Sequence, residues 1–581
     1  MLVARFSRLR DRLAVDRNME TSALQARVSL LIAAACGLFM LTVALRMAGP
    51  TVHPDEFGFL TNGQALIGHT EAPVPTGSFY PAGYGVVTGL GALVTGSIAG
   101  AYRFSLLVNV AFAILTAWCA GSIARRAFGA SQLTSWLASA LVFVMPGTLV
   151  SAMFSWPEIA IRLAFLGLVM SVVSVARKMT TTKLLLLGLY IGVLPGLHGR
   201  FTLLIPVMWL FFAWWAFEKL VSKKHASLAL VFSIGGYVAA RALNRYVKSS
   251  VYIESYNQEN RLLERLFRPS VWPALLRTMV GQSWYLIATT FGLAGIAAVY
   301  SFVSVWRSRS SSNVSRDARL TGLLFVFVAS FSVIFTGGLQ LLYGNRGDHL
   351  IYGRYVEMLV PVLVVVACVA LEKSYREAQF AWFSTGVGIL VIALVYVLVD
   401  GGDGIKGSYS RRSIVYPNIV GVDFIRYFIT PMFVTFGIAF CVLALMFWFG
   451  SRKTGMWSIV VLVAFFAVGT VYSGHNTMLS RTGKLELTTE TIKTVRDSGS
   501  SLIGYDGGIR NDMAYYYLRY RIHPIKLERH FFSIAGAPNF EQFNCMYGFE
   551  NKPPTQGQWA VVAKETVLER VLWKRVEARS C

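Results

Sequence analysis

The chain has 581 residues, 55% of them hydrophobic and 14% charged, where soluble proteins run nearer a quarter charged. Apolar runs of roughly 20 residues, each long enough to cross a bilayer as a helix, recur along most of the length and exclude a soluble protein. A formal net charge of +24 would point to nucleic acid on a soluble chain; here much of it reflects topology, because short cytoplasmic loops collect Lys and Arg.

The basic leader, residues 1–28, carries Arg5, Arg8, Arg10, Arg12, Arg17 and Arg27 and is expected to be cytoplasmic. Arg46 interrupts the small-residue region that a cleavable signal needs, so 29–45 reads as an uncleaved first span. A first outer loop, 49–100, holds "TVHPDEFGFL" and the Gly-rich apolar stretch 78–100, which suits a helix lying in the interface. Further spans are expected at about 101–123, 133–154, 158–175, 184–197, 201–217, 227–246, 283–306, 320–342, 356–371, 380–399, 427–449 and 457–472. Basic clusters after every second span fall on the leader's side, which supports about 13 transmembrane helices and an outward C-terminus. The segment 473–581 reads as a small extracytoplasmic α/β domain. "LTTETIKTVRDSG" and "RNDMAYYYLRYR" have helix patterning, and "SLIGYD" and "QWAVVAKE" strand patterning. The fold class is thus an α-helical polytopic membrane protein, 29–472, with a C-terminal α/β domain. Cys545 and Cys581 in that domain are either a disulfide or two free thiols.

The outer loops concentrate chemistry-bearing residues: His53, Asp55, Glu56 and Tyr80 in the first, Trp156 and Glu158 after the third span, His198 and Arg200 in "GLHGRF", and "RGDHLIYGRYVEMLVP" with Arg346, His349, Arg354, Tyr355 and Glu357. Sorting should deplete outer loops of Lys and Arg, so their abundance there fits an anion outside. Arg matches phosphate oxygens through a planar fork. Asp55–Glu56 suits a hard metal ion, or a base with a neighbour that positions it. In sugar transfer a carboxylate takes the acceptor's proton while cations stabilise the departing phosphate. The plainer alternative is Asp55 as the N-cap of a helix starting near Phe57.

"HPDE" at His53–Glu56, "YPAGYG" at Tyr80–Gly85 and "RGDHLIYGRYVEMLVP" at Arg346–Pro361, in that order on one side, resemble the GT-C superfamily of polyprenyl-phosphate-dependent membrane glycosyltransferases. The stretches are similar to those of protein mannosyltransferases, the lipid A aminoarabinose transferase and arabinofuranosyltransferases. The resemblance implies inverting transfer from a polyprenyl-phosphate sugar to a glycan, glycolipid or protein acceptor. Asp55 would be the base and Glu56 its positioner. Arg354, Arg200, His349 and Tyr355 would hold the donor phosphate, and His53, Tyr80, Glu158 and Arg346 would complete the site. "GLHGRF" has Arg where several relatives have Lys. No cofactor, metal or nucleic acid is called for, and a bacterial inner membrane with the site facing outward is the expected location. A transporter or flippase of a lipid-linked or anionic substrate is the alternative. It is disfavoured because the predicted spans carry no mid-span Asp or Glu and the chain has no apparent internal repeat.

Overall fold

The structure is a computed structural model that describes residues 2–47, 49–50, 54–70, 79–252, 264–308, 314–342, 353–373, 388, 391, 455–479, 489–509, 512–532, 540–565 and 569–581. Helices dominate, because a backbone in lipid must satisfy its own hydrogen bonds. The first is α1, Leu2–Arg46; then come α2, Pro54–Leu66, α3, Gly85–Thr95, and α4, Ile98–Ser122. Next are α5, Gln132–Val144, α6, Pro146–Ala152, α7, Glu158–Arg177, α8, Thr181–Leu197, α9, Leu204–Phe217, and α10, Lys223–Val251. Later membrane-domain helices are Trp272–Thr289, Leu293–Ser308, Ala318–Leu341, Val360–Lys373 and Gly455–Ser473.

Among the described residues seven helices are long and apolar enough to cross a membrane, or eight if the bent pair α5–α6 is one span. They cover the expected spans 1, 2, 3, 4, 6, 7, 9 and 13. The fifth and tenth are present as shorter apolar helices, α8 and Val360–Lys373. The eleventh and twelfth, 380–399 and 427–449, lie outside the described residues apart from two isolated positions. The third span is bent by 54° where Pro146 starts α6, since a proline disfavours helical geometry in the residue before it. The eighth expected span is a correction. It is not one helix but two, broken at Thr290–Gly292, where Phe291 and Gly292 take φ of 49° and 83°, outside right-handed helical geometry.

The segment expected to form the first outer loop holds two helices, α2 and α3, packed against each other. α2 and α3 lie so close that a Cβ on Gly63 would sit 2.1 Å from Thr88 Oγ1, and the Thr88 hydroxyl donates to the Phe59 carbonyl at 2.9 Å. α8 and α10 meet through small residues, as membrane helices do when backbones approach. A Cβ on Gly188 or Gly192 would be 2.2 Å from the carbonyl oxygen of Ala229 or Ser233.

The tail is the expected α/β unit. Its sheet runs β2-β1-β3-β5-β4, with β1 Leu502–Asp506, β2 Lys526–His530, β3 Cys545–Phe549, β4 Trp559–Lys564 and β5 Arg570–Arg575. β1 is parallel to β2 and β3, while β5 is antiparallel to β3 and β4. The expected helices are Thr489–Asp497 and Asp512–Ile522. Cys545 and Cys581 form a disulfide. Tyr520 docks this domain on the membrane domain: its hydroxyl donates to the Ile98 carbonyl at 3.0 Å, and its ring meets Phe57 and Tyr102 edge-on.

The α8–α10 contact carries the first prediction. Overpacking costs about 1–3 kcal/mol, and backbone cannot move aside as a side chain can. Thermal unfolding in detergent should give a clearly lowered midpoint for Gly192→Leu. Gly235→Leu should change little, because its Cβ meets nothing within 4 Å. Equal midpoints would contradict the packing.

Candidate active site

Asp55 and Glu56 stand in the first turn of α2, where negative charge suits the helix dipole. Helix α2 begins at Pro54, so Asp55 lies inside the first turn and does not cap a helix starting near Phe57; that alternative is corrected. The two acids then diverge. Glu56 is fully buried and accepts a hydrogen bond from the backbone N–H of Ser155 at 2.7 Å. It ties α2 to the segment before α7. The Asp55 side chain is 22% exposed; its Oδ1 accepts from the Tyr80 hydroxyl at 3.0 Å and its Oδ2 from Arg354 Nη1.

Arg354 lies in a 3-10 turn, Gly353–Tyr355. Gly353 is required there, since a Cβ would sit 1.9 Å from the Tyr285 ring. The Arg354 guanidinium stacks on Trp156, 4.2 Å from the ring centre, and its Nε donates to Glu158 Oε1 at 2.5 Å. Glu158 is the first residue of α7. Both its oxygens also accept from Arg200, at 2.7 and 3.0 Å. Arg200 sits in the turn Gly199–Phe201, which His198 caps by accepting the Arg200 N–H at Nδ1. Its guanidinium faces the Tyr355 ring at 4.8 Å. One carboxylate therefore joins two arginine forks, and one of those forks reaches a second carboxylate.

Behind this row is another. Arg162, one turn along α7, donates to Glu357 at 2.6 Å and to Ser151 at 2.9 Å, and Glu357 also accepts from the Tyr285 hydroxyl. The structure thus brings together Asp55, Tyr80, Glu158, Arg200, Arg354 and Tyr355, and sets Glu56 apart as a buried strut. His53, Arg346 and His349 lie outside the described residues. Sequence reasoning included Glu158 among the residues that complete the site and missed its position between the arginines. The available signal was an acid at the first turn of a span on the same side as "GLHGRF" and "IYGRY". It also missed the Arg162–Glu357 pair, whose two members are far apart in sequence.

Neither a family model nor a curated protein matches the chain. Solved structures do. ArnT from Cupriavidus metallidurans bound to undecaprenyl phosphate superposes with a TM-score of 0.54 at 14% identity, covering 95% of this chain and 99% of that one. The apo form of that protein gives 0.52 at 15% identity, covering 94% and 97%. The chain has the ArnT fold. The likeness expected from the sequence motifs therefore extends to the fold. The ArnT fold and the apolar helices together make the chain an integral membrane protein.

Removing one member of a buried ion pair leaves the other uncompensated, at about 3–5 kcal/mol, against about 1 kcal/mol or less for an exposed pair. Glu158→Gln strands two arginines and should lower the unfolding midpoint strongly; Asp55→Asn, at the open edge, should lower it little. The reverse order in a detergent melting experiment would contradict the arrangement.

Proposed function

We propose that the chain is a membrane glycosyltransferase that moves a sugar from a polyprenyl-phosphate donor to an acceptor outside the membrane, with inversion. The observation that carries this reading is the row Asp55–Arg354–Glu158–Arg200. It sets a part-exposed carboxylate beside two arginine forks at the mouth of a helical bundle. The likeness to ArnT, solved with undecaprenyl phosphate, supports a lipid phosphate as the group those forks receive. The distribution of basic residues along the sequence supports a site on the outer face of the membrane, and the one Asn-x-Ser/Thr sequon, Asn313, on the expected cytoplasmic side favours a bacterial inner membrane.

In this mechanism Arg354 and Arg200 hold the donor phosphate. Charge-assisted hydrogen bonds to its oxygens stabilise the negative charge that grows as the bond to the anomeric carbon breaks. Asp55 takes the proton from the acceptor hydroxyl as that oxygen attacks the opposite face. The Tyr80 hydroxyl orients Asp55. Glu158 is a positioning residue that spaces the two forks, and Glu56 holds the turn in place. Donor phosphate and Asp55 both seek Arg354, so phosphate binding loosens the Asp55–Arg354 pair and makes Asp55 a better base.

A transporter would place its ionisable residues near the bilayer centre. Among the described residues the row instead assembles from helix starts and short turns: α2, α7, Gly199–Phe201 and Gly353–Tyr355.

General-base assistance is worth about a hundred- to ten-thousand-fold. With a panel of polyprenyl-phosphate sugars, Asp55→Asn should fold and bind donor but lose transfer by at least the lower factor. Retained turnover would remove Asp55 as base. Arg354→Lys keeps charge but loses the fork. It should weaken donor binding by about 1–3 kcal/mol, and unchanged affinity would exclude Arg354 from the phosphate site.

A further inference from the structure

Helix α10 carries a stripe that the reaction does not use. Val231, Ile234, Val238, Arg241, Arg245 and Lys248 follow one another at steps of three or four residues, so they lie along one face. The lower half is apolar and open: Val231 is 58% and Val238 59% exposed. The upper half is basic and lines a groove of about 520 Å³ walled by Phe79 and Tyr237. α10 is one of the membrane-length helices. At 1.5 Å per residue, Lys224 and Arg241 are roughly 26 Å apart along its axis, close to the ~30 Å hydrocarbon thickness. With Lys224 at one headgroup level, Arg241 through Lys248 stand at the other, which is the outer one in the topology read from the sequence. Cations are disfavoured there unless an anion compensates them. The three arginines behind and within the active site all have carboxylate partners. Arg245 and Lys248 have none among the described residues.

We propose that this stripe binds one anionic phospholipid of the outer leaflet, its phosphate on Arg241, Arg245 and Lys248 and an acyl chain along Val231, Ile234 and Val238. Basic residues near a membrane surface attract anionic headgroups additively, and a phosphate accepts hydrogen bonds from several donors at once. The site also has a connection to the first outer loop. Asn244, on the turn between Arg241 and Arg245, accepts the backbone N–H of Ala82 at 2.8 Å. At the end of α10, the Tyr252 hydroxyl donates to Asn62 on α2 at 2.8 Å. A lipid seated here braces the loop that carries Tyr80. The inference rests on the membrane placement of α10 and not on the glycosyltransferase reading.

Native mass spectrometry of the purified full chain tests it, with phosphatidylglycerol and phosphatidylcholine of identical acyl chains as probes. The intact protein should retain one phosphatidylglycerol more than phosphatidylcholine. Arg245→Gln/Lys248→Gln should lose that preference by about tenfold or more, while Arg245→Lys/Lys248→Arg keeps it. Val238→Asn, which leaves every cation in place, should weaken retention of the same lipid. Equal retention of the two lipids by the intact protein would overturn the proposal, and so would an unchanged preference in the double Gln variant. Displacement of phosphatidylglycerol by equimolar polyprenyl phosphate, lost in that variant, would assign the stripe to the carrier lipid and overturn it as well.

Discussion

Arg354 is held by two carboxylates from distant parts of the chain, Asp55 on α2 and Glu158 at the head of α7. Burying an arginine is costly unless it is paired, so this side chain dictates where the two helices and the Gly353–Tyr355 turn sit relative to one another. Arg200 extends the same constraint to the α8–α9 turn through the second side of Glu158. Four segments are joined at one point by charge. The remaining packing serves to hold those segments within hydrogen-bonding reach.

Glu56 fastens α2 to the backbone at Ser155, directly ahead of Trp156, on which Arg354 stacks. The missing side chain of Gly353 lets its turn lie on Tyr285, and Tyr285 in turn bonds Glu357, the partner of Arg162. The glycines of α8 bring α10 close, and α10 grips the α2–α3 segment through Asn244 and Tyr252. Tyr520 joins the tail domain to the membrane domain at Ile98 and Phe57. A charged row at helix starts and short turns is thus braced by uncharged contacts in the bundle, in the α2–α3 segment and in the tail.

Much of this was legible in the sequence. Apolar length identified most of the crossing helices, helical periodicity identified the tail helices, and strand patterning identified β1 and β4. β2, "KLERH", was missed because its polar residues hide the alternation, and β3, "CMYGF", because a glycine interrupts it. The break at Phe291–Gly292 was not readable either: an apolar run gives the same signal whether or not the backbone turns within it. For the site, order and sidedness brought Asp55, Arg200 and Arg354 to one face. The different duties of Asp55 and Glu56 could not be read, since adjacent acids in one turn differ only in what the fold puts opposite them. The central place of Glu158 was hidden for the same reason.

In the proposed reaction Asp55 and a lipid phosphate compete for Arg354. The affinity of the full chain for polyprenyl phosphate, compared between the unmodified protein and Asp55→Asn by calorimetry, measures that competition without knowledge of the sugar or the acceptor. Loss of one charge-assisted hydrogen bond that phosphate must displace, worth about 1.5–3 kcal/mol, predicts binding roughly tenfold or more tighter in Asp55→Asn. Equal or weaker binding in that variant would mean that phosphate does not take the place of Asp55 on Arg354, and would contradict the account.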